Sequence, residues 1–375
     1  MPRKFGSQDA PVDGAQGGSA QGADAQVAPA NNSPGEDAEA AMLHRAGAMA
    51  PAFAAALVAW FDREARDYPW RRTTDPWAIL VSEVMLQQTT IPTVLGRYEA
   101  WLRRFPTPQA LAMAGEEEAL RSWEGLGYYR RVRSLQAAAR AITERHGGCF
   151  PEEPGAIRAL PGIGEYTAAA VLSFAFNRPA PLVDANVARV LARLFDDAAP
   201  VDAPEGRRRQ WALAARLVSP DRARAYNAAL MELGQRICTG GQPDCLLCPV
   251  RVFCSTRRPE QLPMKLPKTE LLRAEHCDLW ALSSAGLLME RQPSGARHAG
   301  MLRLPRRTAA EVAGLEHLLD QRYSVTRYRV LRRLFRAAPD EQPRERELFV
   351  PLAQLEREPM ASPDRKIVLR LLARS

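Results

Sequence analysis

Lysine is almost missing from this 375-residue chain. Lys4, Lys265, Lys268 and Lys366 are all there are, so residues 5–264 carry no side-chain primary amine. That excludes Schiff-base chemistry by a lysine across this stretch. Cysteine is scarce too. Six residues are too few for a disulfide scaffold, and point instead to a metal or a nucleophile in a reducing compartment. No run approaches the ~18 consecutive apolar residues of a membrane helix, so no membrane partner is expected. The first thirty residues lack the apolar core of a secretory leader. Residues 1–45 hold almost no large apolar side chain and are expected to be a disordered tail, because they cannot bury enough surface to offset chain entropy.

What is present begins with charge. The chain carries a formal +8, with 46% hydrophobic residues and a pI near 9.4. The first fifty residues are acidic on balance, so the rest is more basic than the whole. A basic folded part suits a polyanion, nucleic acid first. The length suggests two domains. From Phe53, Leu57, Trp60 and Phe61 onward, helical periodicity recurs to about Arg236 with almost no strand signal. This predicts a helical domain over 46–256, a Pro-rich linker over 257–275, and a smaller α+β domain over 276–375. In the last, the sequence predicts a hairpin of 278–282 with 287–291, a helix over 309–320 and a strand over 324–331.

Five motifs carry chemistry. Cys238, Cys245, Cys248 and Cys254 crowd four thiols into the loop 238–254. Zinc usually takes two close Cys pairs. One close pair with two flanking singles favours a [4Fe–4S] cluster over zinc. Leu160-Pro161-Gly162-Ile163-Gly164 ahead of a new apolar helix has the pattern of a helical hairpin. Gly162 and Gly164 let backbone N–H groups approach a phosphate, although an ordinary interhelical turn has the same look. Asp184 precedes a helix and reads as its N-cap, and an ionised carboxylate there could also stabilise a sugar cation. Glu83 lies on the helix opened by Asp75 and Pro76, beside a stripe of Trp77, Leu80, Val81, Val84 and Met85. In apolar surroundings its carboxyl tends to stay protonated, as a general acid requires, while a plain surface glutamate fits the segment as well. Gln87 and Gln88 are amides able to read base edges. Gly125-Leu126-Gly127-Tyr128-Tyr129-Arg130-Arg131 combines close-approach glycines, an aromatic wedge and arginines for phosphate.

Taken in order, "SEVMLQQT", "GLGYY", "LPGIGEYTAAA", "VDANVARVLARL" and the Cys spacing resemble the helix-hairpin-helix DNA glycosylases with an iron–sulfur cluster, and within them the MutY type. The resemblance spans about residues 53–375. It implies a mainly α, two-lobed glycosylase domain with a [4Fe–4S] loop, followed by a Nudix-like domain that senses 8-oxoguanine. It also implies removal of adenine opposite 8-oxoguanine or guanine in double-stranded DNA, by a cytoplasmic, nucleoid-associated monomer that leaves an abasic site without cutting the strand. In that pattern Glu83 protonates the base and Asp184 stabilises the sugar cation, with Tyr166 and Asn186 assisting. Gln87, Gln88, Thr89, Leu126, Tyr128, Gly162, Gly164 and Thr326 meet DNA. Endonuclease III-like relatives have a lysine where Tyr166 stands. Leu302 stands where a Trp is usual, and Val325-Thr326-Arg327 where the family has Phe-Ser-His. The alternatives are a thymine-mismatch glycosylase and a DNA-binding protein without catalysis.

Overall fold

The computed structural model describes residues 34–267, 270–296, 298–325, 327–338 and 341–373. Eleven α-helices come first: α1 (Pro34–Glu64), α2 (Pro76–Leu86), α3 (Ile91–Arg104), α4 (Pro108–Met113), α5 (Glu116–Ser122), α6 (Arg130–Arg145), α7 (Pro154–Arg158), α8 (Glu165–Phe176), α9 (Ala185–Phe195), α10 (Pro204–Leu217) and α11 (Ala223–Arg236). No strand precedes Leu272 among the described residues. Two cores divide these helices. Trp77, Trp101, Phe105, Trp123, Leu135 and Val171 centre one, built from α2 to α8. Phe53, Leu57, Leu191, Leu213 and Tyr226 centre the other, in which α1 packs on α9, α10 and α11.

The sequence places helix starts well where capping chemistry is local. Asp75 caps α2 by accepting from Trp77 N at 3.0 Å and Ala78 N at 3.3 Å, with Pro76 in the first turn. Asp184 caps α9, and Asn177 ends α8 in the left-handed conformation.

The expected tail over 1–45 needs correction. Residues 1–33 lie outside the described part, but 34–45 form the first turns of α1. Good helix formers, Ala, Glu, Met and Leu among them, carry that segment, and Met42 and Leu43 pack on the second core. Arg45 bonds Ser255 and the carbonyl of Phe253, tying α1 to the Cys-rich loop. Through its alanines, Asp37–Glu64 reaches the length and hydropathy of a membrane span. Its large side chains Phe53 and Leu57 are instead fully buried against α10 and α11.

The C-terminal region holds β1 (Leu272–Trp280), β2 (Leu282–Ser283), β3 (Gly286–Arg291), β4 (Leu302–Arg303), β5 (Arg306–Arg307), β6 (His317–Val325), β7 (Tyr328–Arg336), β8 (Glu347–Val350), α12 (Leu352–Leu355) and α13 (Ser362–Leu372). One four-stranded sheet runs β5-β1-β7-β6, with β1 and β7 parallel. The other joins β2, β3 and β4, with β8 also pairing β3. Four sequence expectations fail here, one of them the strand over 324–331, which the turn between β6 and β7 divides. The linker ends early, since β1 begins at Leu272. The hairpin is only Leu282–Ser283 with β3, because β1 pairs into the other sheet. Residues 309–320 are turns followed by the start of β6, not a helix. Gly314 sits at φ +85°, which breaks a helix, and pairing with β7 claims His317 onward.

This region docks on the first core. Tyr129 Oη donates to Met360 O at 3.2 Å, and Arg365 reaches Glu124 at 2.7 and 3.0 Å. Met301 and Ala361 join the core of α2 to α8.

Candidate active site

A cavity of about 1040 Å³ opens between the two helical cores. From the first core α2 presents Glu83, the α2–α3 turn Gln87, Gln88 and Thr89, and the α8 N-terminus Tyr166. From the second come Asp184 and Asn186.

Glu83 is 5% exposed. The helix that holds it is buried on every side from Trp77 to Met85, so the expected one-sided stripe is wrong. The reason is position: α2 runs under α3, α6 and α8, and apolar residues cover its whole circumference. Burial pushes the Glu83 carboxyl up to about 7. The Tyr166 hydroxyl, hydrogen-bonded to it, pulls it down, and the nearby Asp184 carboxylate pushes it up.

Asp184 is held at several points. One carboxylate oxygen accepts from Val187 N at 2.7 Å, as the cap; the other accepts from Asn186 Nδ2 at 2.9 Å. Asn186 Oδ1 in turn accepts from Arg189 Nη2 at 2.9 Å, which fixes which way the amide faces. Arg189 also donates to Gly234 O at 2.7 Å and to Cys238 O at 2.8 Å. A chain of hydrogen bonds therefore runs from the cavity carboxylate to the Cys-rich loop.

Gly162 has φ +75°, and a Cβ there would stand 2.4 Å from the Ser134 Cβ, so only glycine fits the hairpin turn. Gly164 supplies the N-cap of α8 but does not line the cavity. Gln88 and Tyr128 line it, each with positive φ, at 54° and 47°. Tyr128 is 42% exposed, unlike its buried neighbour Tyr129.

Two sequence assignments change. Leu126, expected to meet DNA, is 4% exposed, and its side chain belongs to the first core. Arg131, expected to hold phosphate, is turned inward. It donates to Val84 O and Met85 O at 2.7 and 2.9 Å and to Leu126 O and Gly127 O at 2.8 and 3.2 Å, stapling the Tyr128 loop to the end of α2. Thr326 lies outside the described residues. Its neighbours Val325 and Arg327 sit at the tight turn between β6 and β7.

The wall from Tyr68, Trp70 and Arg71 was not anticipated. Tyr68 and Trp70 stack at 5.1 Å, and Arg71 lies 4.9 Å over the Tyr68 ring while pairing with buried Glu232. The dense Tyr68-Pro69-Trp70-Arg71 run is the signal that could have revealed it.

The four loop thiols are all free. Burial pushes Cys248 up to about 11, and the proximity of Cys238, Cys254 and Cys245 adds to it. Arg193, 1% exposed, points Nη1 at Cys238 Sγ at 3.3 Å and Nε at Pro259 O at 2.7 Å. Among the described residues no three Cys, His, Asp or Glu side chains close around a single ion. Cys238, Cys245 and Cys254 all act on the Cys248 thiol, so the four lie near one another in the loop.

Residues 81–210 match the family described as HhH-GPD superfamily base excision DNA repair protein. The chain is 43% identical over 225 residues to an adenine DNA glycosylase of Homo sapiens, covering 58% of this chain and 41% of that one. It is 43% identical over 202 residues to an adenine DNA glycosylase of Mycobacterium tuberculosis (strain CDC 1551 / Oshkosh), covering 54% and 66%. The chain thus spans less than two thirds of either relative's length. A solved thermostable thymine-DNA glycosylase matches with TM-score 0.50 and 30% identity, over 55% of this chain and 94% of that one.

Proposed function

We propose, for a chain that belongs to the HhH-GPD superfamily of base excision DNA repair proteins and within it to the MutY type, that it removes adenine from double-stranded DNA where adenine faces 8-oxoguanine or guanine. The observation that carries this reading is a carboxyl with its pKa near neutrality, Glu83, in one cavity with a second carboxylate held by a helix cap, Asp184. Two carboxyl groups in unlike environments are the acid and stabiliser of glycoside hydrolysis.

The target base is flipped out of the duplex, at a cost of a few kcal/mol that a mispair lowers. Glu83 gives its proton to the leaving adenine as the N-glycosidic bond breaks. Asp184, at the N-terminus of α9, faces the oxocarbenium-like sugar. Water adds to the sugar carbon, gives a proton to the Glu83 carboxylate and leaves an abasic site. Tyr166 holds the Glu83 carboxyl, and Asn186 orients Asp184. The reaction is monofunctional, because no lysine exists between residues 5 and 264. Cys238, Cys245, Cys248 and Cys254 would hold a [4Fe–4S] cluster that braces the loop against α9. The second region, Nudix-like in this reading, would sense 8-oxoguanine through the segment Val325-Thr326-Arg327. A cytoplasmic monomer acting on the nucleoid follows from such a substrate.

Single-turnover assays on A:8-oxoguanine, A:G and T:G duplexes test this. Adenine release from the first two, with little borohydride trapping, is the expected result. Thymine release from T:G alone would favour a thymine-mismatch glycosylase. Tight binding without release would favour a DNA-binding protein with no catalysis.

A further inference from the structure

Most arginines of the C-terminal region are paired with carboxylates: Arg303 with Glu290, Arg307 with Glu347, Arg332 with Asp278 and Asp364, Arg336 with Glu316. Arg273, Arg322 and Arg329 are not. All three are exposed, and none has an acidic partner among the described residues. The register puts them together. Arg273 lies directly opposite Arg329 across the parallel β1–β7 pair. Arg322 is diagonal to Arg329 across β6–β7, where Ser324 faces Arg329 and Arg322 faces Leu331. Strands lie ~4.8 Å apart, so long side chains on these positions share one surface. Residues alternate between faces, and Val330, Arg332 and Leu334 take the opposite, buried one.

Like charges set directly opposite one another destabilise a sheet. Two residues along the same face, Glu275 pairs with Arg333 at 3.7 Å, so the sheet has a carboxylate solution that it does not use at Arg273 and Arg329. The cluster borders the β6–β7 turn, where Arg327 adds a further cation 5.6 Å from the Tyr328 ring. Three unneutralised guanidiniums on a stiff, gently twisted surface match a row of phosphates.

We propose that the face of Arg273, Arg322 and Arg329 is a second DNA-binding surface, which takes the phosphodiester backbone of the duplex away from the cavity. The proposal rests on the reading of the chain as a DNA glycosylase. Each phosphate neutralised contributes about 0.9 to the slope of log affinity against log salt.

The test is fluorescence anisotropy of the full chain and of Arg273→Gln/Arg322→Gln/Arg329→Gln on an A:8-oxoguanine duplex, from 50 to 200 mM NaCl. The triple variant should show a salt slope smaller by about 2.7, so that the wild type loses roughly 40-fold more affinity across that range. Its thermal midpoint should hold or rise, since facing like charges are removed. Arg357→Gln/Arg370→Gln, which removes two exposed charges elsewhere in the region, should leave the slope unchanged. A triple-variant slope equal to wild type, as a surface for an acidic protein would give, overturns the proposal. So does an equal loss in the control pair. A wild type that binds duplex and releases adenine while the triple variant is unchanged defeats this inference alone. A wild type that binds no duplex at any salt defeats the glycosylase reading and the inference with it.

Discussion

Tyr166 and Glu83 share a hydrogen bond across the floor of the cavity. It pulls the Glu83 carboxyl down against the burial that pushes it up, and leaves it at about 7. Burial raises the Tyr166 hydroxyl well above its ordinary value, and the Glu83 and Asp184 carboxyls and the shared hydrogen bond add to it. Without the tyrosine the carboxyl would hold its proton more tightly.

The pH profile follows with a definite sign. An acid catalyst must be protonated, so adenine release should fall as pH rises through about 7. Tyr166→Phe should carry that alkaline limb to higher pH, read from single-turnover rates between pH 5 and 9. A limb that stays in place, or moves down, would separate Tyr166 from the acid.

Glu83→Gln should lower release by about 10²–10⁴-fold while mispair binding persists, because it deletes the proton donor and keeps the shape. Stability should respond too. The folded pKa lies above the ordinary value of 4.5, so the group favours folding fully below that pH. That contribution is lost as pH rises to about 7. Between pH 4.5 and 7 the wild type should therefore lose about 3 kcal/mol relative to Glu83→Gln. Denaturant melts of both proteins at pH 4.5 and 8 measure the difference.

Asp184 has two jobs, and one substitution separates them. Serine caps a helix about as well as aspartate. Asp184→Ser should stay within ~1 kcal/mol of wild-type stability and lose adenine release by about 10²-fold or more. If release survives, the carboxylate acts only as the cap of α9.

Purified protein should be yellow-brown, with about four irons per chain. Cys248→Ser should lose the iron, whereas Cys149→Ser and Cys277→Ser should keep it, since neither lies in the loop 238–254. Stoichiometric zinc in a colourless, active protein would reverse the assignment.

A chain cut near Lys268 removes more than the two small sheets. It strips Met360 from the buried Tyr129 hydroxyl and Met301 and Ala361 from the first core. Such a fragment should melt several degrees lower than the full chain. Arg365→Met, which breaks the pair with Glu124 and the bonds to Leu355 O and Glu358 O, should show a smaller drop. Equal midpoints for all three would mean the two parts fold independently.

The helix starts at Asp75 and Asp184 were legible because a cap announces itself within a few residues. Glu83 was not, since a plain surface glutamate fits its segment as well, and only the order of the motifs set it apart. Arg131 was not, since its six acceptors come from α2, the turn after it and the Tyr128 loop, and only the fold brings them to one guanidinium. Leu126 misled for the opposite reason. Two flanking glycines suggest an open loop, but the loop is pinned and tucks its leucine inward. The sheets were the least legible part. Pairing of β1 with β7 joins residues more than fifty positions apart, and no local pattern encodes that partnership.

The strap from α1 to the cysteine loop bears on how the molecule assembles. Arg45 waits some 210 residues for Ser255, so the second core joins the first helix of the chain to helices made much later. The first core needs only a continuous stretch from Trp77 to Leu182, apart from the late additions Met301 and Ala361. During synthesis that stretch can collapse while α1 is still without a partner. The cavity, whose two walls belong to different cores, is then completed only after the cysteines have left the ribosome.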